Sequence, residues 1–95
     1  MKQYKAKILP DWFSAVNIGE TVPLILEHNI YGEKIGDIKI IGKNHGLIFS
    51  DKVKLGDKLS AGSFVENNGA HVVREVSLVK HPRYKDCEVL HEVTE

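Results

Sequence analysis

The stretch LSAGSFVENNGAHVVREVSLV, residues Leu59–Val79, decides how this chain folds. Two apolar runs, Leu59–Val65 and Ala70–Val79, flank Glu66-Asn67-Asn68-Gly69. Asn and Gly tolerate positive φ, so the tetrapeptide reads as a tight connection between two antiparallel strands. Side chains alternate between faces along a strand. Ser60 therefore shares a face with Gly62 and Phe64, and Glu75 shares one with Val73, Ser77 and Val79. Ser60 and Glu75 are polar residues inside runs where a purely structural strand more often carries apolar ones.

Upstream of this stretch, Thr21–His28 (TVPLILEH) is the next clear β segment. Alternation puts Val22, Leu24, Leu26 and His28 on one side, and the three aliphatic residues turn that side toward the core. His28 then sits at the inner edge of the strand's end, just before the turn Asn29–Gly32. Gln3–Leu9, Lys34–Ile41, Leu47–Val53 and Asp86–Val93 read as further strands. Pro10, Gly42–Gly46, Lys54–Lys58 and His81-Pro82-Arg83 separate them, and Gly36 marks a bulge or a close backbone approach. Asp11–Gly19 reads either as a helical turn capped by Asp11 or as a loop whose Trp12 and Phe13 plug one end of a barrel. No segment has the spacing of an amphipathic helix. The expectation is an all-β fold, a small barrel of about seven short, mostly antiparallel strands with little helix. It forms a single domain over residues 1–95.

Composition narrows the function classes. Thirteen basic and thirteen acidic residues cancel without any block of one sign. Nucleic acid is therefore not the expected partner, since phosphate binding needs a basic excess, although Lys80, Arg83 and Lys85 make a local patch. Cys87 is the single cysteine, so no disulfide within the chain is possible. The N-terminal MKQYKAKILPDW contains no apolar run long enough to span or enter a membrane, which points to the cytoplasm. His81, Cys87 and His91 give an H-x5-C-x3-H spacing that matches no common zinc pattern. No metal or other cofactor is expected.

Serine chemistry needs a base to take the hydroxyl proton and a third group to orient that base. Ser60, His28 and Glu75 are the residues of those types that strands can bring together. Small neighbours at Ala61 and Gly62 leave room for a substrate backbone, and the Gly62 and Ser63 amides are candidate oxyanion donors. A structural alternative stands beside this reading: a strand serine, a hydrogen-bonded His28, and Glu75 either solvated or paired with Arg74 or Lys80.

The ordered segments VPLILEHN, IGDIKI, GLIF, LSAGSF and REVSLVKHP resemble the phage prohead (head maturation) serine proteases, relatives in fold of the herpesvirus assembly proteases. The matching stretches are Val22–His28, Ile35–Ile38, Gly46–Phe49, Leu59–Phe64 and Glu75–Pro82, and EVSLV followed by Pro is the most specific of them. The resemblance implies His28 as general base, Ser60 as nucleophile and Glu75 as the residue that orients His28. It further implies a phage capsid or scaffold protein as partner, a site of action in the host cytoplasm on or within the assembling head, and a homo-oligomer. The short connection Ser50–Lys58, where the family carries a longer, helix-bearing segment, and the extra Ser63 before the aromatic set this chain apart. They keep a second reading open, a non-catalytic capsid-binding protein built on the same barrel.

Overall fold

The hairpin around Asn67-Asn68-Gly69 forms as its residues dictate. Strands β5 (Leu59–Val65) and β6 (His71–Leu78) pair antiparallel. Gly69 takes φ of +83°, where a Cβ would be costly, and Glu66 closes the turn with its N–H on the Ala70 carbonyl at 2.8 Å. The computed structural model describes residues 1–93. The other strands are β1 (Gln3–Lys7), β2 (Thr21–Leu26), β3 (Gly36–Ile40), β4 (His45–Phe49) and β7 (Val89–Val93). They form one sheet in the order β5-β6-β2-β3-β4-β1-β7, and there is no helix among the described residues.

Among the described residues every pairing between two of these strands is antiparallel except β2 with β6, where Leu24, Ile25 and Leu26 lie beside Val76, Ser77 and Leu78. Pro23 has no N–H to give a ladder, and it sits just before this parallel stretch begins. The sheet curls until the segments just ahead of its two end strands meet. Lys58 and Glu88, just ahead of β5 and β7, form an antiparallel bridge, and Leu59 N–H reaches the Cys87 carbonyl at 2.9 Å. The result is a curled, barrel-like sheet closed at one short seam, with Leu24, Ile38, Ile40, Ile48, Leu59 and Val76 fully buried inside.

Two departures from simple alternation shape the molecule. In β6 the register slips between Gly62 and Ser63, so Gly62 faces Glu75 while Ser63 faces Val73, and Arg74 is the extra residue. This bulge sends both Val73 and Val76 into the core and puts Glu75 and Ser77 on the opposite face. The expected grouping of Glu75 with Val73 is thereby corrected. The second departure ends β2 early. Leu26 is 47% exposed, and Glu27 and His28 both adopt left-handed φ, +47° and +56°. The chain turns sharply there, with Asn29 N–H on the Leu26 carbonyl, so His28 does not share a core-facing row with Val22 and Leu24.

Residues 11–19 are a loop rather than a helical turn. It lies across the start of β6, with His71 N–H on the Ser14 carbonyl and Val16 N–H on the His71 carbonyl. Phe13 packs against the core as an end plug, whereas Trp12 stays outside. Ile48, fully buried at the middle of the sheet, has no room to be replaced by a smaller residue without a void. Ile48→Ala should lower the free energy of unfolding by about 2–5 kcal/mol in urea titration, with the β signature in circular dichroism retained below the transition.

Candidate active site

The face of the sheet freed by the bulge carries the polar residues. Glu75 and Ser77 alternate with core residues on β6, and their cross-strand partners on β5 are Gly62 and Ser60. His28 arrives from the end of β2, which the parallel pairing holds alongside Ser77 and Leu78. Its left-handed backbone aims its N–H at Ser77 Oγ, 2.9 Å away, and brings its ring to Glu75, with Nδ1 at 2.5 Å from Oε1. Ser77 Oγ also donates to Glu75 Oε2 at 2.9 Å and lies 3.4 Å from His28 Nδ1. The Glu75 side chain is only 12% exposed and that of His28 43%. One ring nitrogen is thus held by a shielded carboxylate while the imidazole keeps access to solvent. The other nitrogen, Nε2, has no hydrogen-bond partner among the described residues.

Gly62 is required here by close approach. A Cβ on it would fall on the Glu75 carboxylate, so the small residue two positions after Ser60 is what lets Glu75 lie across β5.

Of the three residues singled out from sequence, His28 and Glu75 are in direct contact, and Ser60 is next to them on the neighbouring strand, opposite Ser77. No hydrogen bond joins Ser60 to His28 among the described residues. Both line one open cavity of about 700 Å³, set between the edge of β5, the loop around Leu9 and Phe13, and the segment His81–Cys87. Lys7 ties two of those walls together, with Nζ 2.8 Å from Asp11 and 2.7 Å from Asp86. The two carboxylates hold the Lys7 ammonium well above its usual pKa, and Lys7 in turn lowers that of Asp86. No group of three or more metal-ligating side chains converges among the described residues.

Sequence reasoning missed a second serine–histidine pair in the same cavity. Ser63 Oγ lies 2.9 Å from His71 Nδ1, His71 is 6% exposed, and the Phe13 ring covers it at a centroid distance of 4.3 Å. The hairpin register carried a signal: Val65 opposes His71, so Ser63 is a diagonal neighbour of His71 across the strands. Ser77 was visible as a companion of Glu75, two residues along one strand, but nothing in the pattern marked its contact with His28.

Comparison with family models, with curated proteins and with solved structures finds no match to this chain.

Two outcomes test this local account. Gly62→Ala should displace the Glu75 carboxylate, perturb the His28 ring resonances and destabilise the fold by about 1–3 kcal/mol, as overpacking does. Cys87, buried in the cavity wall, has its thiol pKa pushed up to about 11 from an ordinary value of 9.0 by that burial. The folded state therefore holds this proton where the unfolded state has lost it, and stability should fall as pH climbs from about 9 toward 11. A Cys87→Ala variant should show less of that alkaline decline in thermal melts.

Proposed function

We propose that this protein is a serine endopeptidase of the phage prohead type, acting on capsid or scaffold precursors during head assembly. The observation that carries the reading is the His28–Glu75 contact beside Ser60 at one open cavity. A carboxylate on Nδ1 and an unengaged Nε2 is the arrangement a general base needs. The ordered segments from VPLILEHN to EVSLVKHP add the substrate class.

In this reaction Ser60 Oγ attacks the scissile carbonyl carbon as His28 Nε2 takes its proton. Glu75 keeps the ring oriented and stabilises the imidazolium that forms. The tetrahedral oxyanion is met by amides near Gly62 and Ser63. Its collapse breaks the C–N bond, with His28 returning the proton to the leaving amine. Water, activated by the same histidine, then hydrolyses the acyl-Ser60 ester. The Ser60–His28 hydrogen bond that starts the sequence is one that free enzymes often make only when substrate closes the site.

The test is co-expression with the capsid or scaffold precursor of the same phage. Ser60→Ala should reduce cleavage by roughly 10³-fold or more while leaving the melting temperature unchanged. A fluorophosphonate probe should label Ser60 and not Ser63. If the wild-type chain cleaves nothing, or Ser60→Ala supports head assembly normally, the capsid-binding reading replaces this one.

A further inference from the structure

We propose that Ser77 is a positioning residue that dictates which nitrogen of His28 carries the proton. The inference rests on the reading of His28 as general base and names the group that prepares it for that role.

A serine hydroxyl has one hydrogen to give and two lone pairs to accept with. One lone pair of Ser77 takes the His28 backbone N–H at 2.9 Å, and its single hydrogen goes to Glu75 Oε2, also at 2.9 Å. Toward His28 Nδ1, 3.4 Å away, Ser77 Oγ then has only a lone pair to offer. The other atom facing Nδ1 is Glu75 Oε1, and an ionised carboxylate only accepts. Both neighbours of Nδ1 are acceptors, so Nδ1 bears the hydrogen and Nε2 is left with its lone pair outward. A neutral imidazole in water favours the opposite tautomer, so the arrangement must be enforced.

Ser77 enforces it at two points with one oxygen. By holding Oε2 it turns Oε1 toward the ring, and by accepting from the backbone it anchors the left-handed residue that presents the ring. The hydroxyl is fully buried, with no water to compete for either bond. Ser77 does not reach the cavity, which separates its role from that of a nucleophile.

The experiment is nitrogen-15 NMR of the His28 ring in the intact protein, at a pH where the imidazole is neutral, with cleavage kinetics alongside. Wild type should show Nδ1–H and an unprotonated Nε2. Ser77→Ala should show a mixture of tautomers with an unchanged fold. Its kcat should fall roughly 10–100-fold, a part of what a positioned base supplies, with KM nearly constant. Ser77→Thr, which keeps the hydroxyl, should restore the single tautomer. A wild-type ring with the proton on Nε2, or a Ser77→Ala ring indistinguishable from wild type, overturns the proposal, and neither result depends on Thr being accommodated. A wild-type chain with the expected tautomer but no cleavage would instead remove the protease reading and leave the role of Ser77 in place.

Discussion

The polar cluster of His28, Glu75 and Ser77 depends on one extra residue in β6. Perfect alternation from Val73 to Val79 would have sent Glu75 and Ser77 inward with Val73, burying a carboxylate at a cost of several kcal/mol. The bulge at Arg74 resets the pleat, so that two valines three positions apart both enter the core. Arg74 itself is left outside, its guanidinium 4.7 Å from the centre of the Phe64 ring. A single irregularity therefore separates the apolar interior from the face that carries Glu75 and Ser77, and Gly62 on the partner strand leaves space for the carboxylate.

The His28 corner is the complementary device. Two successive non-glycine residues in the left-handed region cost of order 1–3 kcal/mol each, and such conformations persist only where the surroundings over-determine them. Here the surroundings are specific. Ser77 binds the His28 amide, Glu75 binds its ring, and Glu27 Oε1 accepts the Lys80 N–H at 2.8 Å. The backbone is strained at the residue whose ring meets Glu75, and the bonds that hold it there also fix the position of the imidazole.

Most of the architecture was legible because it is local. The Asn-Asn-Gly turn, the alternating runs and the breaks at Pro10 and Lys54–Lys58 predict seven strands with little helix, and the sheet has them. Strand ends were less legible: Thr21–His28 stops at Leu26, and Leu47–Val53 is replaced by His45–Phe49. These limits are set by tertiary hydrogen bonds, such as Ser50 Oγ on the Ile35 carbonyl at 2.7 Å, which no window of sequence displays. The bulge escaped for the same reason, since nothing in VVREVSLV marks the extra residue until the partner strand supplies a register. His28 and Glu75 were found as residue types suited to chemistry, whereas the contact of Ser77 with His28 emerges from the pairing of distant strands and that of Ser63 with His71 from the hairpin's own register.

The parallel contact between β2 and β6 also governs when the site comes into being. His28 and Glu75 are 47 residues apart in sequence, and the strands that carry them meet through the one non-antiparallel pairing of the sheet. Closing so long a loop costs entropy before any contact repays it, so pairings of this kind form late in folding. The neighbouring hairpins, β3 with β4 and β5 with β6, need only short connections and can form first. A chain still emerging from the ribosome has His28 long before it has Glu75, and a partly folded chain has both without their contact. The His28–Glu75 contact is thus a property of the assembled sheet, with a built-in delay between synthesis of the two residues and their meeting.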